Sequence, residues 1–147
     1  MASFTAVHTK TTSGTGHALV LKSDGGVKPL LYEIVLGNSI TPADNAGEYR
    51  IIRTSDAGAT PIAVTEGQLD PDSAPPLVVA DGGDFAADPT EAGASLLTIP
   101  LNMRATFRWV TNTKPIMGVN ATNNGLALDV VAQSSAFLLT TTMMWDE

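Results

Sequence analysis

Between Leu97 and Trp109 every second residue is apolar: Leu97, Ile99, Leu101, Met103, Ala105, Phe107 and Trp109. Thr98, Pro100, Asn102, Arg104, Thr106 and Arg108 fill the gaps. A strand turns successive side chains to opposite faces, so this alternation puts one face in a core and the other in water. A helix would scatter the same residues around its axis. The pattern predicts one half-buried strand, or two strands in register, with Phe107 and Trp109 in the core. Pro100 has no N–H to donate to a ladder and therefore marks an edge, a bend or a break.

Shorter segments repeat the idea. Pro29–Gly37 is predicted as a strand with Leu30, Tyr32, Ile34 and Leu36 on one face and Glu33 on the other. Further strands are expected at Ala18–Leu21, Glu48–Thr54, Thr60–Thr65, Leu77–Ala80, Ile116–Val119 and Leu126–Val130. The last strand, Ala136–Trp145, places Phe137, Leu139, Thr141, Met143 and Trp145 on one side. Asp24-Gly25-Gly26, Asp56-Ala57-Gly58 and Asn123-Asn124-Gly125 are turn signals, and Ser134-Ser135 is a break. Thr41-Pro42-Ala43-Asp44 reads as a single helical turn with Thr as N-cap and Pro at the first helical position. No amphipathic helix of three turns is visible. About eight to ten short strands at regular spacing predict an all-β, single-domain β-sandwich. A jelly roll of two sheets is the first choice and an immunoglobulin-like sandwich the second. Residues 1–28, rich in Gly and Thr, are expected to be an extended N-terminal arm, with the sandwich domain over 29–147. Deleting residues 2–16 should then leave the core folded.

Composition narrows the function. The 147 residues include no cysteine, so disulfides and thiolate metal sites are excluded. Charged residues make up 16%, below the usual ~25%. The net charge is −7, and Glu66, Asp70, Asp72, Asp81, Asp84, Asp88 and Glu91 form an acidic block with no Lys or Arg between them. Such a block disfavours nucleic acid and anionic membranes, and its plain reading is a solvated loop. The N-terminus lacks a basic and an apolar region, so no signal peptide is expected, and no run is long and apolar enough for a membrane span.

No catalytic constellation emerges. His8 and His17 fall in the expected arm, a poor place to hold a metal or a catalytic base rigid. Gly14-Thr15-Gly16 lacks the Lys-Ser/Thr of a phosphate loop, and no Gly-x-Ser-x-Gly elbow occurs. Glu33 and Asp129 are the only strand-borne carboxylates that suggest a glycosidase pair. Asp70, Asp72, Asp81 and Asp84 suggest calcium, but their spacing matches no EF-hand loop. Asn120-Ala121-Thr122 is formally a glycosylation sequon, and Arg104 with Arg108 is a solvated or partner-facing pair. The reading is a non-enzyme with no catalytic, metal or cofactor site.

Leu31–Gly37 with Thr41–Asp44, and Leu101–Val110, resemble small virion proteins of tailed bacteriophages, of the capsid cement or decoration type. The resemblance covers Pro29 to the C-terminus and transfers no functional residue. It implies a structural protein on the capsid exterior, assembled in the host cytoplasm. It also implies a homo-oligomer, with a trimer favoured, that clamps major capsid protein subunits and uses neither nucleic acid nor membrane as a partner. The alternative is a receptor- or carbohydrate-binding module of a tail fibre or baseplate. Apolar residues on both sides of Leu30–Leu36 and Ala127–Val131 add an expectation that a second subunit covers those strands.

Overall fold

The computed structural model describes residues 1–12, 14–40, 44–133 and 136–147. Apart from Asp44, the expected helical turn at 41–44 lies outside them, as does the Ser134-Ser135 break. The described residues form an all-β sandwich. In chain order the strands are β1 (Ser3–Thr12), β2 (Gly16–Lys22), β3 (Leu30–Asn38), β4 (Ala46–Thr54), β5 (Ile62–Val64) and β6 (Glu66–Gln68). They continue with β7 (Val79–Gly82), β8 (Glu91–Asn102), β9 (Phe107–Val110), β10 (Ile116–Met117), β11 (Gly125–Gln133) and β12 (Phe137–Asp146). The first sheet runs β10-β3-β12-β1-β6, with β9 also on β3. The second runs β5-β7-β2-β11-β4-β8. All pairings are antiparallel.

The main core fills the space between the sheets. On β12 the expected face holds: Phe137, Leu139, Thr141, Met143 and Trp145 are all buried. Phe4 of β1 sits opposite Trp145 with ring centroids 5.8 Å apart, and Tyr49 meets Phe137 edge to face. On β3 the expected face is displaced. A bulge pairs Met144 with Glu33 but Trp145 with Leu31, so Tyr32 is the extra residue. Leu31, Ile34 and Leu36 are buried in consequence, while Leu30 and Tyr32 are only half-buried. One added residue changes the face of everything before it.

The long alternation from Leu97 to Trp109 is two strands, and they belong to different sheets. β8 is an edge of the second sheet and β9 an edge of the first. Met103–Ala105 makes the crossing, with Met103 buried. Pro100 faces Glu48 on that edge strand, as its missing N–H requires. Phe107 and Trp109 pack against the core but stay half-buried, because β9 is short and marginal.

The arm expected over residues 1–28 is not an arm. β1 lies between β12 and β6, and β2 lies between β7 and β11. Phe4 and Ala6 are 1% exposed, and Leu19, Val20 and Leu21 are 0% exposed. A run of Gly and Thr does not by itself make a segment flexible. Threonine is a strand former, and a β-strand satisfies the backbone groups that an isolated arm leaves unpaired.

The acidic block is solvated at Asp70, Asp72, Asp84, Asp88 and Glu91, as expected, but it is not one loop. It is an insertion between β4 and β8 that extends both sheets through β5, β6 and β7. Its acids act locally: Glu66 accepts from the Ala80 N–H at 2.7 Å, and buried Asp81 pairs with Lys22 from β2. The end of the insertion folds over the outside of the second sheet. There Phe85 covers a small cluster of Val20, Ile52 and Ala127. The second apolar side of β11 is therefore covered by its own chain.

Candidate functional site

Three neighbouring strands place one polar row on the outer face of the second sheet. Asp129 of β11 pairs with His17 of β2 on one side and Arg50 of β4 on the other. His17 reaches this face through a bulge: Leu128 pairs with Leu19 but Asp129 pairs with His17, and Ala18 is extra. Without the bulge, His17 would share the core face of Leu19 and Leu21. The insertion supplies Asp88 and the first residue of β8 supplies Glu91, the remaining walls.

The approach of Asp88 depends on Gly16. Its φ of +126° is outside the normal range of other residues, and a Cβ there would fall 2.6 Å from Asp88 Oδ2. Asp88 accepts the His17 backbone N–H at 3.4 Å. Gly58 anchors the other end of this segment, with φ +65° and a would-be Cβ 2.7 Å from the Ala87 carbonyl. Asp56 accepts the N–H groups of Gly58 and Thr90 at 2.9 and 3.1 Å, and a hydrogen bond from the Thr90 side chain, with these two, holds its carboxyl below the usual range.

His17 is 2% exposed, and neither ring nitrogen has a hydrogen-bond partner. Its Nδ1 lies 3.9 Å from Asp88 Oδ1. Its Nε2 lies 3.9 Å from Glu91 Oε1 and 4.0 Å from Asp129 Oδ1. Phe85 stands edge-on to the ring at 6.5 Å. Burial pushes the imidazole below its ordinary pKa, against the upward pull of Asp129, Asp88 and Glu91. Arg50 donates from Nε to Asp129 Oδ2 at 2.8 Å and pairs through Nη2 with Glu91. Asp129 thus gives one oxygen to Arg50 and turns the other toward His17. Beside the row is an open cavity of about 290 Å³, bordered also by Thr15, Pro89 and Val131. The chemistry available is that of a polar cradle: one imidazole, three carboxylates and one guanidinium.

The other residues singled out in the sequence do not converge. Glu33 lies on the first sheet and accepts from Arg108 at 2.6 Å, while Asp129 lies on the second sheet, so the pair does not face across a cleft. The bond to Arg108 holds the Glu33 carboxyl below its usual range. Both acids are nevertheless buried, at 8% and 4% exposure, where the alternation placed them in water. Asp70 and Asp72 are exposed in a turn, Asp84 is exposed, and Asp81 is taken by Lys22, so the four form no common group. His8 is on β1, with its ring against Gly82 of β7. Arg104 and Asn120 are exposed. Sequence reasoning missed the His17 row because its members are far apart in the chain. The acids Asp88 and Glu91 were visible as charges, but nothing local indicated the bulge at Ala18. Comparison with known protein families, with curated proteins and with solved structures finds no match for this chain.

Proposed function

We propose that this protein is a structural component of a tailed-phage particle, a jelly-roll capsid cement or decoration protein that docks on major capsid subunits as a homo-oligomer, with a trimer favoured. The strand order supports the architectural half of the reading. β12 lies between β1 and β3, β11 lies between β2 and β4, and β9 and β8 follow at the β3 and β4 sides. Two sheets linked in this way support a jelly-roll reading, a fold shared by many capsid domains and by lectins. Fold alone does not choose between those roles.

The observation that carries the choice is the outer face of the first sheet. Thr5, Val7, Thr9 and Thr11 of β1 lie opposite Met144, Thr142, Thr140 and Leu138 of β12. On β3 the rows continue through Val35 and Gly37. The charged pair Glu33–Arg108 sits at one side, and the centre of the face carries no charge. Val7 is 53% exposed. A broad pleated face of threonine and aliphatic residues suits a protein surface, since interface cores are depleted in charge. A sugar platform would present aromatic rings, and here all eight aromatic side chains are buried or half-buried.

Co-sedimentation of the purified chain with phage heads lacking it tests the proposal. Saturable binding at a fixed ratio to the major capsid protein is the expected result. Failure to bind, together with a monomer by light scattering at high concentration, refutes it.

A further inference from the structure

We infer that His17, Glu91 and Asp129 form a binding site for a first-row divalent transition metal ion such as zinc. The inference does not depend on the capsid reading. Among the described residues, one ligand atom from each of the three lies within 4.8 Å of the other two. An acidic cluster alone would mean little. The independent observation is His17, which is 98% buried (2% exposed) with two unpartnered nitrogens, one facing both carboxylates. A buried imidazole without a partner is costly, and a bound ion removes that cost on the nitrogen it takes.

The geometry is close to what coordination needs. An ion with ligands at about 2.0–2.2 Å holds its donors roughly 3.0–3.6 Å apart. Nε2 stands 3.9 and 4.0 Å from the two carboxylate oxygens, so each gap must close by about half an ångström. The Glu91 oxygen nearest Nε2, Oε1, is the one that Arg50 Nη2 holds, so this 40% exposed carboxylate at the start of an edge strand must turn inward to give the ion an oxygen. The donor set of one imidazole and two carboxylates suits zinc and its neighbours better than calcium or magnesium, which prefer all-oxygen shells. Arg50 supports the site from behind. It binds Asp129 through Oδ2 and leaves Oδ1 for the ion. Charge agrees as well: Asp88, Glu91 and Asp129 against Arg50 leave about two negative charges beside a neutral His17, which a divalent ion balances. The adjoining cavity has room for water to complete the shell. With ligands from β2, β8 and β11, the ion would tie an edge strand to the middle of its sheet.

The test is thermal unfolding and calorimetric titration with zinc chloride on chelator-treated protein, with Ca²⁺ and Mg²⁺ as comparisons. Wild type should bind one equivalent of zinc. At zinc one hundred times Kd, Tm should rise by about 5–10 °C. His17→Gln and Glu91→Gln should lose most of this rise while keeping the circular dichroism of wild type. His8→Gln, which removes the other histidine, should keep it. Glu91 is surface-accessible, so its variant decides the matter if the His17 variant does not fold. No zinc response at millimolar metal would overturn the site, as would a response that survives Glu91→Gln or matches that to calcium.

Discussion

The two outer faces of this sandwich are built from the same kind of strand and end differently. On the second sheet, Val20, Ile52 and Ala127 point outward and are buried, because residues near Phe85 fold back over them. The polar groups beside them, His17, Arg50, Asp88, Glu91 and Asp129, pair with one another, with His17 and Asp129 buried and Asp88 and Glu91 still exposed. On the first sheet Val7, Thr9 and Thr11 are exposed and Val35 is half-buried, with the charged Glu33–Arg108 pair at one side of the face. The insertion that leaves β4 and returns as β8 adds β6 to the edge of the first sheet, but its end, near Phe85, folds over the outside of the second. One face is covered within the chain, and the other is the face that we propose a partner covers.

Deleting residues 2–12 should produce the largest effect. It removes β1, whose Phe4 packs on Trp145 and whose backbone pairs with both β12 and β6. The expected outcome is loss of the cooperative unfolding transition, followed by circular dichroism. A folded, cooperative deletion product would restore the arm reading.

Next is Asp129→Ala. It takes the buried carboxylate from Arg50 and His17 on the covered face. Removing one partner of a buried pair costs about 3–5 kcal/mol, and the remaining contact between Arg50 and Glu91 should hold the loss near the lower figure. Urea denaturation measures it, and a loss below about 1 kcal/mol would show that the row is effectively solvated.

Phe85→Ala should cost about 2 kcal/mol, since the ring is only half-buried yet shields three buried side chains. Hydrogen exchange at Val20 and Ala127 should rise in parallel. If exchange is unchanged, the insertion does not protect that face.

Val7→Ala and Thr142→Ala, cross-strand neighbours on the open face, should each change stability by no more than about 0.5 kcal/mol. A larger loss would mean that this face is already packed in the isolated chain.

Much of the architecture was legible in the sequence, for a physical reason. Period-two alternation is a local property, so the strands at 48–54, 126–130 and 137–145 could be read from the residues in them. Two kinds of feature could not. Bulges at Tyr32 and Ala18 add one residue and reverse a face without any change in composition. They displaced the Leu30–Leu36 face and hid His17. The second kind is sheet membership. Leu97–Trp109 keeps perfect alternation while passing from one sheet to the other at Met103. Residues 1–28 looked like a tether because their partners lie more than a hundred positions away, on β11 and β12. The candidate site suffered from both, since it joins positions 17, 50, 91 and 129 through a bulge.

The most direct measurement places a single charge in the open face. Val7→Asp puts a carboxylate at the centre of the threonine–valine rows, where the isolated protein leaves it in water. Buried against a partner without a counter-ion, it would cost several kcal/mol and weaken binding by a hundredfold or more, on the order of 3 kcal/mol. The account predicts an unchanged melting temperature and loss of co-sedimentation with phage heads. Wild-type binding by Val7→Asp would contradict it and move the docking surface elsewhere.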